Sequence, residues 1–143
     1  MKKFQSSKLI DGFSTCYRNH KSPNQTAFLH GTDLKFRVYF EGEMDHRNWV
    51  ADFGLFKRAK NTIQGMSPKD YFSYMFDHTC LISTDDPYLP KFQEMGKKGI
   101  IQLRTLENTS EEGISKHLHN VLSKFIYDEL EGRVTVSKID VII

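Results

Sequence analysis

Along residues 34–41, Leu34, Phe36, Val38 and Phe40 alternate with Lys35, Arg37, Tyr39 and Glu41, the period-two pattern of a strand with one buried face. Residues 8–16 read as a strand as well, and the loop over 19–25, with Ser22-Pro23-Asn24, reverses the chain so that the two arms run antiparallel. Asp52 is placed as the N-cap of a helix reaching to about residue 64, with Phe56, Ala59 and Ile63 on one face. Ser67-Pro68 repeats the start signal, with Ser as cap and Pro at the first helical position, ahead of a stripe of Tyr71, Phe72 and Met75. A short strand, Cys80-Leu81-Ile82, precedes a further helix start at Asp85-Asp86-Pro87, and another strand covers 100–106 after Gly99.

The longest helix is predicted over 110–131, where Ile114, Leu118, Val121, Leu122, Phe125, Ile126 and Leu130 share one stripe. Thr109 and Glu112 have capping-box spacing, and Gly132 suits the exit. In the closing strand, 134–143, apolar residues fall on even positions at Val134 and Val136 but on odd ones at Ile139, Val141 and Ile143. That change of phase predicts a bulge near Ser137 or Lys138. Residues 1–143 thus read as one α+β domain whose helices cover one sheet face.

A chain of 143 residues can bury a core without disulfides or metal. Cys16 and Cys80 fit neither a disulfide framework nor a zinc ribbon and are read as two small buried thiols. A net charge of +2 with interspersed signs gives no case for a nucleic-acid or membrane partner. No apolar run reaches membrane-spanning length, and Met1-Lys2-Lys3 leads into Phe4-Gln5-Ser6-Ser7, too polar for a signal-peptide core; a cytoplasmic protein is expected.

The start of the second strand carries candidate chemistry. His30 and Thr32, two apart, point to one face. A histidine at each position would grip one metal, but His and Thr cannot do so alone, because zinc takes Cys, His or carboxylate ligands.

Several junctions gain meaning in their order: Phe13-Ser14, His30-Gly31, Val50-Ala51-Asp52-Phe53 with Lys57, Asp77-His78, and Thr109-Ser110-Glu111. Together they resemble the 6-pyruvoyl-tetrahydropterin synthase family, including its 6-carboxy-tetrahydropterin synthase branch, from about Gly12 to the C-terminus. The resemblance implies a tunnelling fold, with a four-stranded antiparallel sheet and two principal helices on one face. Its protomers join into a barrel-forming trimer, which stacks into a hexamer. It also implies a lyase that removes triphosphate from dihydroneopterin triphosphate, in tetrahydrobiopterin or queuosine biosynthesis. In that family three histidines bind zinc, a Cys and an Asp-His pair move protons, and acidic and hydroxyl residues hold the pterin.

Carried over by position, Asp77 and His78 match the proton relay, and Thr109, Ser110 and Glu111 match the pterin-contacting segment, although capping alone explains Thr109. The N-cap role likewise explains Asp52. His30 matches one zinc ligand, while Tyr17 and Thr32 occupy the other two positions, which leaves the site incomplete. A rerouted loop would be needed to bring His20 toward His30, and Cys16 points to the opposite strand face from position 17. Thr26 lies roughly where the family has its catalytic Cys; its hydroxyl is too weak an acid to replace a thiol. The family's closing Glu, which anchors the pterin, falls at about Ile143, with Asp140 the nearest acid upstream. The expected function is a tetrahydropterin synthase-like lyase. The alternative is a metal-free, catalytically altered member that binds a pterin or purine-like ligand or serves as an oligomeric interaction module, and an aldolase on the same fold is a third option.

Overall fold

A computed structural model describes residues 2–143. Strands β1 (Phe4–Tyr17) and β2 (His30–Gly42) form a long antiparallel hairpin whose register runs from Phe4 opposite Gly42 to Tyr17 opposite His30. The register slips between Ile10 and Phe13, where Gly12 adopts φ +90°, a conformation that glycine takes without Cβ strain. After helices α1 (Leu55–Arg58) and α2 (Pro68–Phe76) come β3 (Thr79–Ser83), α3 (Leu89–Lys97), β4 (Leu103–Leu106), α4 (Glu111–Glu129) and β5 (Val134–Ile142).

The sheet has five strands in the order β4-β3-β1-β2-β5, rather than the four antiparallel strands expected. β3 runs parallel to both β1 and β4. The reason is the helical crossover: α3 returns the chain to the end of the sheet from which β3 started, so β4 must follow β3 in parallel. α3 also breaks the expectation of helices on one face. Its Phe92 packs with Cys80 and Ile82, whereas Leu81, between them on β3, faces the main core. With both faces covered, all five β3 residues are buried.

The main core joins the inward hairpin residues Phe13, Leu34, Phe36, Val38 and Phe40 to Tyr71, Phe72 and Phe76 of α2 and Ile114, Leu118, Leu122 and Ile126 of α4. Phe13, Phe36, Phe72 and Phe76 form a ring cluster with centroids 4.9–6.5 Å apart, within the range where aromatic pairs add to plain burial. The bulge in β5 stands where the phase change put it: Tyr39 pairs with Lys138 and Phe40 with Val136, leaving Ser137 as the extra residue.

Four helix boundaries differ from expectation. α1 stops at Arg58 because the Glu129 carboxylate, from the end of α4, accepts the N–H groups of Lys60 and Asn61 and the Asn61 side-chain amide. A turn with Gln64 and Gly65 at positive φ then brings Ile63 opposite Met66. Asp52 does not cap that helix as its N-cap residue, a place taken by Gly54; its carboxylate accepts from Gly54 N–H and Arg47. α3 starts at Leu89, three residues beyond Asp86, whose side chain is engaged by Arg18. The cap of α4 is Ser110, accepting from Gly113 N–H, and not Thr109.

Between α2 and α4, the Tyr71 hydroxyl lies 2.7 Å from His117 Nε2. Burial pushes the Tyr71 phenol up to about 12 and holds the His117 imidazole below its ordinary value. Folding therefore keeps His117 neutral, while the unfolded chain protonates it below its ordinary value of 6.5. Stability from this group is complete above that pH and is lost as pH falls through it toward the lower folded value. The urea midpoint should fall between pH 7 and about pH 5.5, and more steeply than in His117→Gln; parallel pH profiles would contradict this.

Candidate functional site

The three positions matched to zinc ligands do converge. The β1–β2 register sets Tyr17 opposite His30 and Thr15 opposite Thr32, so Tyr17, His30 and Thr32 alternate onto the same face. The Tyr17 and His30 rings sit 4.3 Å apart between centroids, tilted by 56°. His30 Nδ1 lies 2.8 Å from the Phe28 carbonyl, which can only accept, so this nitrogen carries the proton and Nε2 is left free. Burial first, and then the negative charge of Glu111 at the start of α4, raise the Tyr17 phenol above its ordinary value.

This donor set does not fit zinc. Of the three positions only His30 offers a zinc-type ligand; Tyr17 is a protonated phenol and Thr32 a hydroxyl. His20 turns its Nε2 toward Asp85 at 3.7 Å, and Cys16 stands on the opposite face beside Cys80. Among the described residues no group of three His, Cys, Asp or Glu side chains is placed to hold a metal ion.

What holds this corner together was not legible as a motif. Arg18, one residue beyond β1, grips Asp86 with two bonds, Nε to Oδ2 at 2.6 Å and Nη2 to Oδ1 at 3.1 Å. The Asp86 side chain is fully buried. Burial alone would raise its carboxyl, but the Arg18 guanidinium and the Tyr88 N–H outweigh it and hold the group below its usual value. The Arg18 carbonyl in turn accepts from Thr109 Oγ1 at 2.6 Å, and Thr109 N–H donates to Ser83 Oγ. Thr109 is thus fully buried, with its hydroxyl committed to the ends of β1 and β3. It positions the start of α4 and presents nothing to a ligand.

Ser110 and Glu111 remain accessible. Glu111 shares a cleft of about 600 Å³ between α4 and β5 with His119 and Asp140. Asp140 also accepts from the Tyr39 hydroxyl at 2.9 Å.

Asp77 and His78 form a pair on the other side of the sheet. Asp77 ends α2, and His78 follows at φ +56° with its N–H bonded to the Ser14 carbonyl. Asp77 Oδ1 accepts from Ser14 N–H at 3.2 Å and lies 3.0 Å from His78 Nδ1. The Ser14 bond is the main reason this carboxyl is held below its usual value; burial opposes it and His78 adds to it. The carboxylate thereby orients the imidazole through Nδ1. The His78 side chain is 76% exposed. It lines a cleft of about 770 Å³ with Ser14, Cys16, Gly31 and Cys80.

Ser14 and Tyr17 are three residues apart on β1, so about 10 Å separates their Cα atoms, and the cleft opens on the face opposite Tyr17. Within one chain, then, Asp77 joins His78, and Tyr17, His30 and Glu111 share a corner, while the two groups stay apart.

Comparison with known proteins gives this geometry a context. A family model described as 6-pyruvoyl tetrahydropterin synthase matches residues 8–142. Among solved structures, an uncharacterized protein from Wolinella succinogenes, WS1659, is similar at TM-score 0.79 and 19% identity, over 99% of this chain and 93% of that one. The 6-pyruvoyltetrahydropterin synthase of Plasmodium vivax, in a form altered at a catalytic residue, is similar at TM-score 0.57 and 14% identity, over 97% of both chains. The Plasmodium falciparum enzyme is similar at TM-score 0.55 and 14% identity, over 96% of this chain and 89% of that one. At these identities the structural likeness speaks for the fold. No curated protein matches the sequence, and among the described residues no helix is long and apolar enough to cross a membrane.

Proposed function

Because this chain belongs to the 6-pyruvoyl tetrahydropterin synthase family, we propose that it is a tetrahydropterin synthase-like lyase acting on dihydroneopterin triphosphate or a close relative. The observation that carries this reading is the assembled Asp77–His78 pair, with Asp77 anchored to the backbone of β1. In this reading Asp77 keeps Nδ1 protonated and the ring aligned, and His78 Nε2 takes up and returns a proton at the reacting carbon. Glu111 accepts hydrogen bonds from the pterin's amino and ring nitrogens, with Ser110 beside it and Glu112 and Asp140 as the other acids lining that cleft. Thr109 acts by holding the helix start in place.

Since the relay and the acidic cleft lie apart in one chain, we assign the complete site to a homo-oligomer, in which the His78 cleft of one copy meets the Glu111 cleft of another. The outer strands β4 and β5 each leave one edge open to such pairing. A trimer or hexamer is the arrangement this reading implies, with the protein in the cytoplasm.

A second reading, binding of a pterin or purine-like ligand without turnover, draws on one observation: Tyr17 and Thr32 stand where imidazoles would be needed. The two readings part on whether purified protein releases triphosphate from dihydroneopterin triphosphate. The metal-binding capacity of this corner can be tested directly. The double variant Tyr17→His, Thr32→His places three imidazoles on one face around His30, and should acquire about one zinc per chain by elemental analysis. The natural chain should purify with far less than stoichiometric zinc at this site; equal zinc in both would contradict the reading.

A further inference from the structure

Cys16 and Cys80 are register partners on the adjacent parallel strands β1 and β3, so their side chains stand on the same face of the sheet. Neighbouring strands lie about 4.8 Å apart, within the Cα separation of roughly 4.4–6.8 Å that a disulfide spans. Both cysteines are free. They differ in access: Cys80 is 1% exposed in the small core beneath α3, whereas Cys16 is half-buried and both line the cleft that holds His78. We propose that Cys16 and Cys80 form a thiol–disulfide exchange site, in which Cys16 attacks a small-molecule disulfide entering the cleft and Cys80 resolves the product.

The exchange balances without any further reactant. Cys16, as thiolate, forms a bond to one sulfur of the incoming disulfide and expels the other half as a thiol, which takes up the proton Cys16 gave up. Cys80 then loses its proton and attacks Cys16 Sγ, and the second half leaves as a thiol with that proton. Two protein thiols are oxidised to one disulfide, and one small disulfide is reduced to two thiols. The steps are of unequal speed. Burial, and then the neighbouring Cys16, push the Cys80 thiol up to about 12, so its thiolate fraction near neutral pH is small and rises about tenfold per pH unit. The exchange requires no pterin and no turnover by the Asp77–His78 pair.

The test uses 5,5′-dithiobis(2-nitrobenzoic acid), an aromatic disulfide, on the native chain. Two aromatic thiols should be released per chain, the second more slowly and faster as pH rises from 7 to 9. The protein should end lighter by two hydrogens, with no aromatic group attached. Cys80→Ser should release one and keep one, and Cys16→Ser should release none until it is denatured. Wild-type protein that keeps an aromatic group, or Cys16→Ser that reacts while folded, would overturn the proposal. The wild-type mass decides the matter even where a variant fails to fold.

Discussion

His78→Asn is expected to lower turnover of dihydroneopterin triphosphate by about 10²–10⁴-fold, the usual contribution of a positioned acid–base group. Asparagine is chosen because position 78 sits at φ +56°, in the left-handed region where Asn is among the better tolerated residues. The backbone bond from position 78 N–H to the Ser14 carbonyl and the bond from Gln102 to the position 78 carbonyl are both independent of the imidazole. The side chain is largely exposed, so thermal unfolding should stay within about 2 °C of wild type. The loss should fall on kcat. Unchanged turnover in a folded variant would remove His78 from the reaction, and a matching loss of stability would reduce it to a structural residue.

Asp86→Ala should produce the largest loss of stability. Removing the carboxylate leaves the Arg18 guanidinium partly buried without its bidentate partner, and breaking a buried pair from one side costs about 3–5 kcal/mol. For a domain of this size that corresponds to a fall in Tm of about 10 °C. The damage should spread, because Arg18 also donates to the Ala27 carbonyl and its own carbonyl accepts from Thr109. The loop after β1 and the start of α4 should therefore gain the fastest hydrogen exchange. Arg18→Met combined with Asp86→Leu should recover much of the loss, because no unpaired charge remains. A fall below about 2 °C for Asp86→Ala would show that water compensates the arginine fully.

Much of this fold is written locally. The alternation from Leu34 to Phe40 specifies β2 and its inward face, the stripe from Ile114 to Ile126 specifies α4, and the phase change around Ser137 marks the bulge in β5. What escaped the sequence depends on partners far along the chain. α1 ends early because Glu129, 69 residues on from Lys60, takes its N–H. The Arg18–Asp86 pair spans 68 residues, and no local pattern announces it.

Parallel pairing of β3 with β1 was also hidden, since a short apolar run such as Cys80-Leu81-Ile82 shows that a strand is buried without showing what lies beside it. The candidate site was legible to the same extent. Residue types at 17, 30 and 32 already revealed a deficient ligand set, and Asp77 and His78 are adjacent in sequence. Their separation from Glu111 within one chain, and the meeting of Cys16 with Cys80, belong to the sheet topology.

As proposed, this chain performs tetrahydropterin synthase-like chemistry through Asp77 and His78 although two of the family's zinc-ligand positions are filled by Tyr17 and Thr32. The most direct test is triphosphate release from dihydroneopterin triphosphate by purified protein dialysed against a chelator, run beside His78→Asn. Sustained release by the natural chain, reduced at least about 100-fold in the variant, is expected. No release by the natural chain, or equal release by both, would contradict it.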